Sequence, residues 1–400
     1  MSNGSKATIP LGQIAEIDMG TSPPGTSYNK EGIGVPLING PTEFTDNSPV
    51  PQQWTTEPTR VCRKGDILIC VRGASTGRMN TADREYCIGR GVAAIRDRED
   101  PLATPLLRYV IEHQLPSLLR FATGSTFVAV DKKAISNIPV PAFDARQRRE
   151  AARLLNRSEE VELLLSRIIT AKRKFQRGLM QELLTGRRRF PEFQHDPRPT
   201  VALREVTIIN PDTLPESTDD YFRFHYIDIS SVSDGRVTIP VSAIAFRDAP
   251  SRARRIVRQY DVLFSTVRPY LKGFAIVEDD RRDLVCSTGF AVLRAATKAD
   301  AQYLLEVLFS DVVGRQVHAR LVGSSFPALN NDDVANIRIP WPSAPERAKI
   351  SHVLGAIRRE IHLLEEMRAR FETAKRGLMQ KLLTGELTVP VSSEPEPVHA

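Results

Sequence analysis

Lys174-Phe175-Gln176-Arg177-Gly178-Leu179-Met180-Gln181-Glu182-Leu183-Leu184-Thr185-Gly186 returns as Thr373-Ala374-Lys375-Arg376-Gly377-Leu378-Met379-Gln380-Lys381-Leu382-Leu383-Thr384-Gly385, 199 residues later in a chain of 400. A repeat of half the chain length means two copies of one whole unit and excludes a solenoid of short repeats. Two related units can be arranged about a pseudo-two-fold axis, which suits a two-part target or two identical partners.

The repeat extends upstream of that phrase. Gly124-Ser125-Thr126-Phe127 pairs with Gly323-Ser324-Ser325-Phe326, Asn137-Ile138 with Asn336-Ile337, and Val140-Pro141 with Ile339-Pro340, all at the same offset of 199. Earlier the offset drifts. It is 198 between Gly91-Val92-Ala93 and Gly289-Phe290-Ala291, 195 between Asp66-Ile67-Leu68-Ile69 and Asp261-Val262-Leu263-Phe264, and 192 between Leu11 and Leu203. Short insertions of this kind belong in surface loops. Between the matched islands the copies barely agree, so one architecture carries two different fronts.

Each copy reads as a mixed globular part followed by one long helix, an α+β chain. A turn at Gly65 opens an apolar strand at Ile67-Leu68-Ile69-Cys70, with its twin at Val262-Leu263-Phe264. An amphipathic helix is predicted over 105–121 with Thr104 as cap, and its counterpart over 299–321. Short proline-bounded strands at Val140 and Ile339 close each globular part. About forty proline-free residues follow in each copy, which at about 1.5 Å per residue would span some 60 Å. The resulting division is a first domain over 1–143, a helix over 144–186, a linker over 187–200, a second domain over 201–343, a helix over 344–386, and a disordered tail over 387–400. Leu154, Val161, Leu165, Ile168, Phe175, Leu179 and Leu183 on the first helix, and Ile350, Leu354, Ile357, Ile361, Leu364, Phe371, Leu378 and Leu382 on the second, follow the three-four spacing of a coiled-coil seam. Arg368 and Lys375 interrupt it. Two such helices at equivalent places in a repeat are expected to pack on each other. Gly186 and Gly385 are the expected C-caps.

A chain that is 41% hydrophobic can bury two or more cores. No stretch approaches the ~20 apolar residues of a membrane span, and Met1-Ser2-Asn3-Gly4-Ser5-Lys6 lacks a signal-peptide core, so a cytoplasmic location is expected. Cys62, Cys70, Cys87 and Cys286 show no metal-ligand spacing and read as reduced and buried. The net charge of +7 invites a nucleic-acid reading. Residues 144–189 alone carry thirteen Lys/Arg against six Asp/Glu, so a surplus equal to that of the whole chain sits on the first helix and the start of the linker.

Catalytic motifs do not emerge. Gly20 and Gly25 have P-loop spacing, but Thr26 stands where the phosphate-binding lysine is required. Asn210-Pro211 opens like an amino-methyltransferase motif, but Asp212-Thr213 follows where an aromatic is needed. The histidines are scattered, with His352 and His362 at solvent-facing or seam-edge helix positions, and no metal site is expected. Two polar loops after the matched strands stand out instead: Arg72-Gly73-Ala74-Ser75-Thr76-Gly77-Arg78 and Ser265-Thr266-Val267-Arg268-Pro269-Tyr270-Leu271-Lys272-Gly273. Arginine bridges guanine edges or phosphates, and short hydroxyls donate and accept beside it. The candidate DNA contacts are Arg72, Ser75, Thr76, Arg78, Arg90, Ser125 and Thr126 in the first copy, and Arg268, Tyr270, Lys272, Thr288, Ser324 and Ser325 in the second. An ordinary solvent-facing connection remains the plain alternative for both loops.

Two mixed domains, each closed by a proline-bounded strand and a long helix ending in Arg-Gly-Leu-Met-Gln-x-Leu-Leu-Thr-Gly, resemble the specificity subunit of type I restriction-modification enzymes. Gly65-Asp66-Ile67-Leu68, Gly124-Ser125-Thr126 and Arg146-Gln147-Arg148 also look like that family, although its usual Glu-Gln before the helix is Arg146-Gln147 here and Pro345-Glu346 in the second copy. The resemblance implies two target-recognition domains, each reading half of a split, asymmetric site in double-stranded DNA. It also implies an antiparallel coiled coil of the two long helices acting as a ruler between them. The subunit would not itself be an enzyme and would hold no cofactor. It would dock two methyltransferase subunits, which carry S-adenosylmethionine, and through them the restriction subunits with their ATP and magnesium. A stand-alone DNA-binding regulator and a coiled-coil adaptor of the same architecture are the rival readings.

Overall fold

The computed structural model describes residues 8–45, 48–122, 129–321, 327–384, 386, 387 and 389. It comprises two compact units: residues 1–166 together with 367–400, and residues 167–366. This division differs from the chain-order division into domain, helix, domain and helix, because it runs through both long helices.

Each unit is built on the same four antiparallel strands. In the first unit the order is Ala15–Met19, Val92–Asp97, Ile67–Cys70, Met79–Thr81. In the second it is Thr207–Ile209, Phe290–Ala295, Val262–Ser265, Phe274–Ile276, with Gly235–Val237 and Val232–Ser233 extending the sheet to six strands. The register is the same in both: Val92 faces Cys70 and Phe290 faces Ser265. Ile9 faces Val140 across the small sheet of the first unit, and Val201 faces Ile339 in the second. Pairings that match residue for residue at different offsets place every length change in the loops. The inner strand Ile67–Cys70 is buried throughout, which is why it reads as an unbroken apolar run rather than an alternating one. The units part company in a second sheet, five-stranded in the first and four-stranded in the second.

The helix predicted over 105–121 is Thr104–Ala122. Its counterpart is two helices, Lys298–Leu308 and Asp311–Leu321, rather than one. The break leaves the Phe309 carbonyl free to accept a hydrogen bond from Lys272 Nζ at 2.9 Å.

The long helices are Ala145–Thr185 and Ala344–Leu383. Each starts under a clamp to the domain that precedes it. Arg148 meets the fully buried Asp97 at 2.7 Å, and Arg347 meets Asp300 at 2.7 Å. Asp144 and Gln147 cap the first helix reciprocally. The far ends are not left in solvent. Leu382 and Leu383 enter the core of the first unit with Leu11, Ile69 and Leu155. Met180, Leu183 and Leu184 enter that of the second with Leu203, Phe264 and Leu354. The phrase repeated most faithfully in the sequence is thus a plug that fits equivalent cores. Gly186 takes a left-handed φ of +77° at the first helix end, as a C-cap should. Gly385 and nearly all of the tail lie outside the described residues.

Within each unit the two helix segments run antiparallel. In the first, Glu162 meets Lys375 at 2.9 Å while Leu155 shares a core with Leu382. In the second, Lys172 meets Glu360 at 2.6 Å while Leu183 shares a core with Leu354. On the second helix the seam is the expected one: Leu354 and Ile361 are buried, and Ile357, Leu364, Phe371 and Leu378 half-buried. On the first helix it is shifted. Leu165 is buried and Ile168 and Leu179 half-buried, but Leu154 (37%), Val161 (41%) and Phe175 (61%) are exposed. The buried face runs through Leu155, Ser158, Leu165, Ile169, Met180 and Leu183, sharing Leu165 and Leu183 with the expected stripe, with Glu162, Lys172 and Gln176 half-buried along it. A hydrophobic count misses the rest because polar residues sit at four positions of this face.

The stretch 187–200 is fastened rather than loose. Arg189 and Arg198 both pair with the buried Glu346, and Arg198 donates to the last-turn carbonyls of Leu183 and Leu184. All four cysteines are free and buried, and burial pushes the thiols of Cys62 and Cys286 up to about 12 and that of Cys70 to about 11. Among the described residues no helix is long and apolar enough to cross a membrane.

Replacing Leu382 with Ala should destabilise the first unit by about 2–5 kcal/mol, the cost of a core leucine cavity. Urea unfolding followed by tryptophan fluorescence and circular dichroism measures it. A change below about 0.5 kcal/mol would mean that the plug carries no structural weight.

Candidate functional site

The loop after the buried inner strand is held alike in both units. Val71 donates its amide to Gly91 and accepts from Val130, and Thr266 donates to Gly289 and accepts from Leu329. Thr76 closes a tight turn onto Gly73 as Leu271 does onto Arg268. Three segments therefore adjoin in each unit: the loop, the turn at residue 90 or 288, and the stretch at 129 or 328.

The backbone of the two loops is the same, but the residues that bear it are not. Gly73 and Gly77 adopt φ of +81° and +92°. At the matching positions of the second unit stand Arg268 and Lys272, with φ of +48° and +54°. A side chain in the left-handed region costs about 1–2 kcal/mol, so the second loop holds strain that the first avoids with glycine. Pro269 between them, the Arg268 amide on the Pro327 carbonyl, and Lys272 Nζ on Phe309 keep it in place.

The cations predicted as DNA contacts separate into two groups. Arg72, Arg90 and Arg268 are exposed, and their guanidinium groups make no hydrogen bond or ion pair among the described residues. Arg78 donates to the carbonyls of Pro41 and Phe44, so it fastens the loop to the neighbouring segment. Lys272 is engaged at Phe309. Ser75 and Thr76 are half-buried, and the Thr76 hydroxyl donates to Gly73 at 2.7 Å. Thr288 and Tyr270 are exposed. Ser125, Thr126, Ser324 and Ser325 lie outside the described residues.

Cavities open beside both loops. Arg72, Gln114, Ser117, Lys132 and Asn137 line one of about 760 Å³ in the first unit. In the second, Val267, Arg268, Leu271, Ile229 and Phe290 line one of about 580 Å³ together with Arg252. Arg252 was missed in the sequence. It is exposed, its carbonyl accepts the Thr288 amide, and it belongs to a basic run whose other members are committed. Arg255 holds Asn210 and the Phe290 carbonyl, and Arg254 lies over the Phe246 ring at 4.6 Å. The run of arginines was the available signal.

One cluster resembles a metal site. Asp234, His362 and Glu365 bring potential ligand atoms within 4.8 Å of one another. Of the two expected positions His362 takes the seam-edge one: it is buried next to Ile361, and the turn bearing Asp234 covers it at 3.3 Å. That hydrogen bond, with Arg358 at 3.4 Å, holds the Asp234 carboxyl below the usual carboxylate range. Arg173 pairs with Glu365 at 2.5 Å. Arginines already neutralise both carboxylates, so the cluster is an ion-pair network joining the helices to the domain.

Residues 4–163 match the type I restriction modification DNA specificity domain. A putative type I restriction enzyme MjaX specificity subunit of Methanocaldococcus jannaschii is 33% identical over 172 residues, which cover 43% of this chain and 40% of that protein. The type I restriction enzyme MjaVIII specificity subunit of the same organism is 21% identical over 350 residues, 82% of this chain and 80% of the relative. The crystal structure of the type I restriction-modification S subunit from M. genitalium shares the fold, with a TM-score of 0.61 at 15% identity over 96% of this chain and 97% of that one. The match thus spans less than half the MjaX relative and most of the other two.

The left-handed positions make opposite predictions in the two units. Gly73→Ala should destabilise by up to about 1 kcal/mol, since strain of about 1–2 kcal/mol exceeds the 0.4–1 kcal/mol gained from a stiffer unfolded chain. Arg268→Gly should stabilise by a similar amount. Urea midpoints of the two variants check this, and a strongly destabilised Arg268→Gly would show that the arginine side chain itself holds the loop.

Proposed function

We propose that this chain is a specificity subunit of the type I restriction-modification kind, whose DNA specificity domain residues 4–163 match, and that it gives a methyltransferase and restriction complex its DNA sequence preference. Each unit reads one half of a split site. The observation that carries this reading is the repeated framework with divergent loops: strand register and loop hydrogen bonds coincide, while the exposed groups are Arg72 and Arg90 in one unit and Arg268, Arg252 and Thr288 in the other. Different donors on one scaffold read different bases, so the half-sites differ and the site is asymmetric.

In this reading the chain supplies recognition and no catalysis. Fixed backbone segments set the position of each loop, and unpartnered guanidinium groups meet guanine edges or phosphates at little cost in broken internal contacts. Two methyltransferase subunits dock on it and bring S-adenosylmethionine, and restriction subunits join through them with ATP and magnesium. The exposed Leu163 and Leu164 of the first helix give a docking partner apolar surface to cover.

A genome-wide map of N6-methyladenine, with and without this chain, tests the assignment. A split motif should vanish with the chain, and an unchanged map would return the reading to a stand-alone regulator or adaptor. Within the mapped site, Arg72→Ala should weaken discrimination at one half and Arg268→Ala at the other, each by about 1–3 kcal/mol. Binding titrations against duplexes altered in one half at a time measure it, and unaltered discrimination in both variants would remove these loops as readers.

A further inference from the structure

The tip of the second unit's loop is apolar where that of the first is polar. Tyr270 (51% exposed) and Leu271 (67%) stand where the first unit has Ser75 and Thr76, both half-buried. A lone exposed leucine is ordinary. Here, however, two neighbouring apolar residues occupy a single turn, Pro269–Leu271, whose shoulders Arg268 and Lys272 are both left-handed. The backbone is strained on both sides of residues that bury little of themselves in the unit. That is the signature of a conformation kept for what it presents.

The surroundings indicate what it meets. Leu271 adjoins Val267, Ile229 and Phe290 along a largely apolar recess whose one carboxylate, Asp228, is held by Ser230 and Ser231. Arg252 and Arg268 stand at the same recess with guanidinium groups that have no partner among the described residues. An apolar surface bordered by free cations suits a target that shows an apolar group next to phosphates. On the major-groove edges of DNA that group is the 5-methyl of thymine, the one carbon substituent among donors and acceptors. Resting on the recognition role proposed above, we infer that the second unit reads a thymine methyl group through Leu271, with Arg268 on the neighbouring base edge and Arg252 holding the adjoining backbone. The first unit, with hydroxyls and glycines at the same positions, reads by hydrogen bonding alone.

Thymine and uracil differ at this edge by that methyl group only. The full chain, assembled with its methyltransferase partner, would be titrated against duplexes of the mapped site in which each thymine in turn, on either strand, is replaced by deoxyuridine. One replacement, in the half-site lost in Arg268→Ala, should weaken binding about fourfold, the factor for one methyl at about 0.8 kcal/mol. Leu271→Ala should bind the thymine and deoxyuridine duplexes alike, and since Leu271 is exposed the variant should fold normally. If every deoxyuridine duplex binds like its parent, if Leu271→Ala stays sensitive, or if that half-site contains no thymine, the methyl contact is wrong. If Arg268→Ala and Leu271→Ala both keep full discrimination, the loop does not face DNA and the recognition role assigned to it fails first.

Discussion

The far end of each long helix has no core of its own, and that single constraint orders the molecule. Met180, Leu183 and Leu184, like Leu382 and Leu383, are apolar groups at the ends of helices whose middles mix charged and apolar residues. Burying one leucine is worth about 1.5–3 kcal/mol, while a solvated polar helix is marginal without such packing. Each end therefore seeks a domain, and the structure supplies one with a matching core. The near-identity of the two helix-end phrases follows from the sameness of the two cores. The buried pairs Arg148–Asp97 and Arg347–Asp300 settle the opposite ends. With both ends of both helices tied, the seam between them can tolerate Glu162, Lys172 and Lys375, which find opposite charges across it.

With the framework fixed in this way, the loops are free to diverge. The hydrogen bonds that hold the reading loop use backbone groups: Val71 to Gly91 and Val130, and Thr266 to Gly289 and Leu329. Backbone fastening is indifferent to side chains, so Arg72 and Val267, or Arg90 and Thr288, can replace each other without disturbing the strands beneath. What cannot change freely is the left-handed pair. There the first unit uses glycine and the second accepts strain.

Much of this was legible before any coordinates. The drifting offsets of the repeat mark the loops, and the strand registers agree with the islands at 66–69, 91–96 and 140–141. The seam of the second helix and the two loops also stand in the sequence. What was hidden depended on partners far away in the chain. Leu154, Val161 and Phe175 keep a heptad spacing as regular as the real one. Only the docking of Leu155 and Leu183 on the cores shows which stripe is buried. Arg78 and Lys272 look as free as Arg72 and Arg268 until the carbonyls they serve, at Pro41, Phe44 and Phe309, come into view. Whether His362 faces solvent or edges the seam stays open in the sequence, because Asp234, which covers it, is 128 residues away. The helix break at Phe309 has no proline or glycine to announce it.

The division of cores between chain segments also bears on biogenesis. The second unit, residues 167–366, is continuous, and every piece of its core is present once that stretch has left the ribosome. The first unit begins the chain but keeps an opening in its core for Leu382 and Leu383, which are made last. Domains normally fold in the order of synthesis. Here the older half must wait for the younger, holding Leu11, Ile69 and Leu155 partly uncovered while some two hundred residues are added. A nascent chain of this design spends its longest vulnerable interval with its first domain, rather than its last, exposed to chaperones and proteases.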